Sequence, residues 1–240
     1  MRNSLIAKLL GFLLLYPLSI NSAISQNIDS QLLSNQLEAI LNKKKFDLTN
    51  ELFLEKAFKQ FEKQYIDFTK KYKNTKWSIK TISNQQDKIL IDVNIISTRK
   101  IGTQIYNLNS KQTVEIVTLK DKIKSYEILN EESILNSQTS PIFVKIIAPD
   151  KVLTGQKYEL NFIIEKPLDN SLIASGIIVL DNKSYLNISN NYFGIKPNKS
   201  GGLFKYIQAP LEPGFQTISA IITHPKGIYS ITKKIEVGLE

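Results

Sequence analysis

The chain has 240 residues with no cysteine, one histidine (His224) and 42% hydrophobic residues, and its formal net charge of +9 comes almost entirely from lysine. Without cysteine the protein has no disulfide, thiol nucleophile or cysteine-ligated metal, and one histidine is too few for a multi-histidine site, so we expect neither metal nor cofactor. The lysines are spread along the chain and do not form clusters with arginine, so we expect no nucleic-acid partner. Weak contact with an anionic membrane or wall polymer remains an alternative.

Residues 1–25 have the features of a secretory signal peptide. A positively charged start precedes an apolar run at 9–20, and small residues stand before the expected cleavage between Ser25 and Gln26. We therefore expect an exported protein of the periplasm or another extracytoplasmic space; for a photosynthetic source the thylakoid lumen is an equal alternative. An uncleaved anchor is disfavoured because the apolar run is shorter than the roughly 20 residues that span a bilayer.

Two helices are predicted at the start of the mature chain. In the first, within 26–49, apolar residues recur at helical spacing: Leu33, Leu37, Ile40 and Leu41. The second, at 50–73, has Thr49 as its expected N-cap. It carries a stripe of mostly aromatic residues at spacings of three and four: Leu54, Ala57, Phe58, Phe61, Tyr65, Phe68 and Tyr72. Such a stripe predicts a helix that packs on a sheet.

From Trp77 onward the apolar residues alternate, which is typical of strands. We predict strands at 77–81, 89–96, 101–108, 113–119 and 123–129, with turns at 84–87, 109–110 and 120–122. Two helices followed by an antiparallel meander predict an α+β domain over 26–132.

A polar segment at 133–140 precedes Pro141, and we interpret it as a linker between domains. The region 141–240 has no helix signal. Short strands are predicted there at 142–147, 157–165, 173–180, 184–188, 192–196, 203–208, 215–223 and 228–237. This regular spacing of strands and turns predicts an all-β sandwich.

The aromatic-faced helix, the meander and the closing hairpin at 113–129 together resemble the NTF2-like (SnoaL-like) superfamily. The resemblance covers about 30–132 and rests on the order of the elements. It implies a cone-type fold, in which helices pack on a curled antiparallel sheet around a pocket used for a small ligand or for catalysis. The chain departs from the catalytic members because 26–132 contains no histidine.

Asp92, Asn94 and Tyr106 are the candidate ligand-binding residues of this expected pocket. Asp92 and Asn94 stand two apart on one strand and so share a face, and Tyr106 belongs to the next strand. These side chains line a pocket, face solvent or complete hydrogen bonds at the rim of the cone. A buried carboxylate such as Asp92 is also able to act as a general base. We assign no catalytic residue and no metal ligand.

Two segments of the C-terminal region resemble bacterial immunoglobulin-like modules. The segment 148–162 reads as a strand exit, a turn and a second strand, and 213–222 places Phe215 where many such modules have tyrosine. The resemblance covers nearly all of 141–240 and implies a sandwich that serves as a spacer or an adhesive surface. The missing cysteine pair argues against an antibody-type domain.

Three functions follow from these observations. We favour an exported, non-enzymatic envelope protein that acts as a binding or scaffold module for a small molecule or a protein partner, because histidine and thiol chemistry are so limited. The first alternative is an isomerase or hydratase that uses a buried carboxylate on a small apolar substrate. The second is a basic protein that docks on anionic envelope surfaces through salt-sensitive attraction.

Overall fold

The computed structural model describes residues 29–43, 51–85, 87–165, 171–181, 194–198 and 201–239. The predicted signal peptide at 1–25, with its cleavage between Ser25 and Gln26, lies outside the described residues. The same holds for Thr49 and for the predicted strand at 184–188. Among the residues that are described, no helix has the length and apolar character needed to cross a membrane.

Two helices and twelve strands form within the described residues. The helices are α1 (Ser30–Lys43) and α2 (Glu55–Lys71). The strands of the first half are β1 (Lys73–Gln85), β2 (Lys88–Ile101), β3 (Gln104–Leu119) and β4 (Lys122–Ser137). Those of the second half are β5 (Val144–Ile147), β6 (Lys151–Leu153), β7 (Lys157–Ile164), β8 (Ile173–Asp181), β9 (Lys196–Asn198), β10 (Gly202–Gln208), β11 (Gly214–His224) and β12 (Gly227–Gly238).

The strands form two sheets. A nine-stranded sheet has the order β1-β2-β3-β4-β12-β11-β8-β9, and β6 adds to it by pairing in parallel with β12. A three-stranded sheet has the order β10-β7-β5. All the pairs other than β6 with β12 are antiparallel in the described strands. The alternating residues of the sequence thus give long antiparallel ladders.

The predicted fold class was wrong. We expected an α+β cone-type domain, with helices packed on a curled sheet, followed by a separate all-β immunoglobulin-like sandwich. Strands instead make up 63% of the described residues and helices 17%, and one large antiparallel sheet extends through both halves. The physical reason is that β4 pairs with β12, and a pairing between such distant segments leaves no trace in local periodicity.

The junction between the two halves begins with residues that belong to strand β4. β4 continues to Ser137, so residues 133–137 of the segment that we interpreted as a linker are paired on both sides, with β3 and with β12. Ser137 ends the strand and accepts a hydrogen bond from Ile228 N at 2.9 Å.

The C-terminal core lies between the two sheets. Five side chains have no exposed surface, namely Leu160, Phe162, Ile218, Ile222 and Ile235. They come from β7, β11 and β12, where every second residue is buried. One polar pair lies among them: the Tyr158 hydroxyl donates to Gln216 Oε1 at 2.6 Å, which satisfies both groups in an apolar setting.

Helix α1 covers the free edge of β1. The Asn42 side chain makes the two backbone hydrogen bonds that a neighbouring strand would make. Its Nδ2 donates to Trp77 O at 2.8 Å, and its Oδ1 accepts from Trp77 N at 2.9 Å. Glu38 Oε2 accepts from Ile79 N at 2.7 Å in the same way. An uncovered edge strand invites pairing with other chains, so these side chains both hold α1 and protect the sheet.

Candidate ligand-binding cavity

Helix α2 forms an aromatic wall that does not close onto the sheet. Of its 17 residues, all of which the structure describes, Ala57 is the buried one. The aromatic stripe predicted from the sequence is present but only half-buried. Phe61 stacks on Phe53 with ring centroids 4.8 Å apart and meets Tyr126 edge-on at 6.0 Å. The rings therefore contact one another and the buried aliphatic cluster, and they line one side of an open space.

The open space has a volume of about 530 Å³. Its opposite wall is the face of β1, β2 and β3 that carries aliphatic side chains, among them Ile79, Ile91, Val93 and Ile95. The aromatic residues of the lining come from α2 and its flanks and, in two cases, from β1 and β4: Phe53, Phe61, Tyr65, Phe68 and Tyr72, with Trp77 on β1 and Tyr126 on β4. Most of the lining is thus apolar, contributed by these rings and by the aliphatic side chains of the sheet.

One end of the cavity is polar because three neighbouring strands place hydroxyl and amide groups side by side. Ser110 on β3 is directly opposite Ser133 on β4, which is directly opposite Thr232 on β12. The adjacent row consists of Gln112, Glu131 and Lys234 on the same three strands. Residues directly opposite each other in an antiparallel pair share a face, so both rows stand on the cavity side of the sheet.

Hydrogen bonds organise the polar end around Glu131. The Ser133 hydroxyl donates to Glu131 Oε1 at 2.6 Å and is also hydrogen-bonded to Ser110 Oγ at 2.7 Å. Ser110 is 2% exposed and Glu131 is half-buried. A carboxylate accepts about four hydrogen bonds, so Glu131 retains capacity for a donor that enters the cavity.

A β-bulge turns Glu131 and Ser133 toward the cavity. The register between β3 and β4 shifts where Thr113 pairs with Asn130 and Val114 pairs with Ile128. The extra residue, Leu129, reverses the alternation of β4, so Tyr126 and Ile128 line the cavity before it and Glu131, Ser133 and Leu135 after it. Without this shift the two polar side chains would point to the other face.

A hydrogen bond across the cavity wall joins α2 to β4. The Tyr126 hydroxyl donates to Gln64 Oε1 at 2.6 Å, and burial raises the pKa of Tyr126 to about 12. The hydroxyl therefore stays protonated, and remains a donor, at pH values where an ordinary tyrosine ionises. Tyr65 makes a longer contact from the same helix, 3.4 Å from its hydroxyl to Leu41 O on α1.

Lys234 belongs to the polar row, yet its ammonium is directed elsewhere. Its Nζ donates to Ile128 O and lies 3.6 Å from the ring centroid of Phe215. Burial lowers the pKa of Lys234, and the negative charges of Glu127 and Glu131 oppose that shift. Lys234 is not among the residues that line the cavity, so the ammonium serves to hold β4 and β11 together.

The structure does not bring the three predicted site residues together. Asp92 and Asn94 lie on the opposite face of the sheet from the aromatic cavity, and Thr113 Oγ1 donates to Asp92 Oδ1 at 3.1 Å. Tyr106 pairs with Arg99 and so shares the face of the odd-numbered residues of β2, which is the cavity face. Neither of the two cavities described here includes Tyr106 in its lining.

Asp92 and Asn94 line a second, polar cavity of about 360 Å³. Its buried member is Lys233, which is 6% exposed and donates to Asp150 Oδ1 and, at 3.5 Å, to Glu132 Oε2. The hydrogen bond from Lys233 lowers the pKa of Asp150, although partial burial opposes the shift. These ion pairs occupy the polar groups that a ligand would need, so we regard this cavity as structural.

Sequence reasoning missed the residues at the polar end of the aromatic cavity. Ser110, Glu131 and Ser133 were assigned to a turn or to polar sequence near the domain boundary. The alternation of Glu131, Ser133 and Leu135 is the available signal, but it is weak because each face of this stretch mixes polar and apolar residues. Within the described residues no group of three His, Cys, Asp or Glu side chains is placed to hold a metal ion.

Comparison with known proteins bears on the C-terminal half. A family model described as a domain of unknown function, DUF8623, matches residues 139–238. No curated protein matches the sequence. The matched region includes β12, which contributes Ser230 and Thr232 to the cavity lining, whereas the aromatic wall and Glu131 precede it in the chain.

Proposed function

We propose that the protein is an exported, non-enzymatic binding protein that holds a small, mainly apolar molecule in the aromatic cavity. The observation that carries this proposal is the cavity of about 530 Å³ between α2 and the sheet. Ligand sites commonly have volumes of about 300–1,000 Å³ and apolar linings with a few grouped polar atoms. The cavity has both properties.

The cavity is unlike ordinary packing in the same molecule. Protein interiors are normally close-packed, and a large apolar void lacks the contacts that its lining would otherwise make. The half-buried rings of α2 would gain those contacts from an apolar molecule. Each Å² of apolar surface removed from water contributes about 25 cal/mol, so a molecule of modest size would bind measurably.

Trp77 provides a direct binding assay. It is the single tryptophan of the chain and lines the cavity, so its emission reports on that site alone. We expect decanol, an apolar chain with a small neutral head, to change the emission of Trp77 in a saturable way. Emission that stays constant, or that changes without saturation, would contradict the proposal.

A matched pair of variants separates the cavity from the rest of the surface. Ser110 and Asn109 are neighbours on β3, but Ser110 faces the cavity and Asn109 is exposed on the other face. Ser110→Phe should weaken decanol binding by about tenfold or more, a loss of roughly 1.4 kcal/mol, and Asn109→Phe should leave it unchanged. Ser230→Phe fills the same cavity from β12 and serves if Ser110→Phe does not fold. Equal effects of the cavity and control variants would place binding elsewhere.

Export is the second part of the proposal and rests on the signal-peptide features of 1–25. Expression of the full chain in a bacterial host, followed by N-terminal sequencing of the extracytoplasmic fraction, should give a mature protein that begins at Gln26. Retention of the intact chain in the cytoplasm would contradict it.

The alternative of an isomerase or hydratase receives no support from the site. That hypothesis used Asp92 as the base beside Tyr106, and these residues lie on opposite faces of the sheet. Contact with an anionic membrane or wall polymer stays a prediction from the lysine content.

A further inference from the structure

We infer that the cavity selects amphipathic molecules whose polar head donates hydrogen bonds, amines and alcohols, over carboxylates with the same apolar tail. This inference rests on the proposed function and names the class of ligand. It follows from the charges at the polar end of the cavity, from the groups already engaged there, and from the acceptors that remain.

Glu131 sets the sign of the charge. Among the described residues that line the cavity, it is the one with a formal charge, and the polar groups of the others are hydroxyl, amide and indole N–H groups. A carboxylate head would approach Glu131 with no cation in the lining to pair with. Like charges in a poorly solvated site repel strongly, so such a head is disfavoured.

Lys234 does not change this result. It is directly opposite Glu131 in the pairing of β4 and β12, but its Nζ donates to Ile128 O and stands over the Phe215 ring. Turning the ammonium into the cavity would break both contacts. It therefore moderates the negative charge of Glu131 without becoming a partner for an anionic head.

The remaining acceptors suit a donor head. Glu131 Oε1 already accepts from Ser133, and the carboxylate can accept further bonds from the cavity side. The hydroxyls of Ser110 and Thr232 flank it in the adjacent row and accept as well as donate. An ammonium presents three donors to this arrangement and a hydroxyl one, while hydrogen bonds to a charged group are the stronger kind.

The test compares three ligands that share one tail. Decylamine, decanol and decanoate are titrated at neutral pH, below the concentrations at which they form micelles, and the emission of Trp77 is recorded. We expect decylamine to bind most tightly and decanoate at least about tenfold more weakly than decylamine, as expected for one charge-assisted hydrogen bond.

Two variants locate the preference at one carboxylate. Glu131→Gln should weaken decylamine binding about tenfold and narrow the gap to decanoate, while decanol binding changes by less than about threefold. Glu127→Gln removes the same charge from an exposed position of β4 outside the cavity and should change none of the three affinities.

The outcomes separate this inference from the proposed function. If the three ligands bind with equal affinity, or decanoate binds best, the inference is wrong and the binding function stands. If none of them changes the emission of Trp77, the binding function itself fails. If Glu127→Gln has the same effect as Glu131→Gln, the preference comes from the general charge of the protein, and the role assigned to Glu131 is wrong.

Discussion

The filled core of the C-terminal half and the aromatic cavity lie on opposite faces of β12 and are packed in different ways. The odd-numbered residues of β12, including Ile231 and Ile235, are buried against the three-stranded sheet. The even-numbered residues Ser230 and Thr232 stand on the other face and line the aromatic cavity. One face of β12 thus belongs to a closely packed core, and the other face belongs to the open cavity.

The difference lies in what covers each face. A second sheet meets the first with alternating side chains that interdigitate, which leaves five side chains without exposed surface. On the other face α1 packs closely and buries five residues, whereas α2 buries only Ala57 among its described residues. The comparison indicates that the open space depends on α2 and that stability resides mainly in the filled core.

The largest effect should come from the filled core. Phe162→Ala removes a fully buried ring of β7 and should lower the free energy of unfolding by about 3–5 kcal/mol, because it combines lost burial with a new void. Urea unfolding followed by circular dichroism measures it. Phe204→Ala is the control, since Phe204 is 62% exposed on β10, next to β7 in the same sheet. Equal losses for the two variants would contradict the described packing.

The next effect concerns the polar pair inside that core. Gln216→Leu leaves the buried Tyr158 hydroxyl without its acceptor and should cost about 1–3 kcal/mol. Adding Tyr158→Phe removes the unsatisfied hydroxyl, so the double variant should recover part of the loss. A double-mutant cycle in which the two losses simply add would show that the hydrogen bond is not formed.

A smaller effect is expected at the cavity. Phe61→Ala removes a ring that is half-buried and already faces open space, so the loss should be about 1–2 kcal/mol, less than at Phe162. When the urea experiment is repeated with saturating decanol, the decanol should raise the free energy of unfolding of the wild-type protein more than that of the variant. A loss as large as that of Phe162→Ala would mean that α2 is tightly packed and that the cavity is not open.

The last effect is absent at neutral pH and appears only at alkaline pH. Burial raises the pKa of Tyr158 and of Tyr229 to about 12, from an ordinary value of 10.0. For an acid whose folded pKa is raised, the contribution to stability is complete below the unfolded pKa and is lost as pH rises toward the folded pKa. The free energy of unfolding should therefore begin to fall near pH 10 and continue to fall toward pH 12. A fall that begins well below pH 10 would contradict this origin.

Local patterns predicted the elements well where one face is buried. The stripe from Phe58 to Tyr72 gave α2, although the helix begins at Glu55 instead of near 50. The alternation of apolar residues correctly predicted the buried parts of β2, β11 and β12. These patterns succeed because burial of one face imposes the period of the element on the sequence.

The predicted polar boundary illustrates what local patterns cannot provide. The stretch that includes Glu131 and Ser133 looks like a linker because neither face is apolar, yet it is paired strand that lines a cavity. Which face these residues occupy depends on the extra residue Leu129, and bulges have no reliable sequence signature. The polar end of the site was missed for this reason.

The face of the sheet that Tyr106 occupies depends on the register between β2 and β3. The hairpin between β2 and β3 has a two-residue loop, in which Gly102 has a φ of 60°, and Ile101 pairs with Gln104. This loop pairs even-numbered residues of β2 with odd-numbered residues of β3, which puts Tyr106 and Asp92 on opposite faces. A loop one residue longer would have placed them together, and the sequence pattern of the strands does not decide between the two.

The proposed function requires that the space between α2 and the sheet is open and takes an apolar molecule. A crystal structure of the protein grown with bromodecanol tests this, because anomalous scattering locates the bromine. We expect one bromine between Phe61 and Ile91 in the cavity, with the hydroxyl toward Glu131. A structure in which α2 lies directly on β2 and β3, with bromine absent from this region, would contradict it.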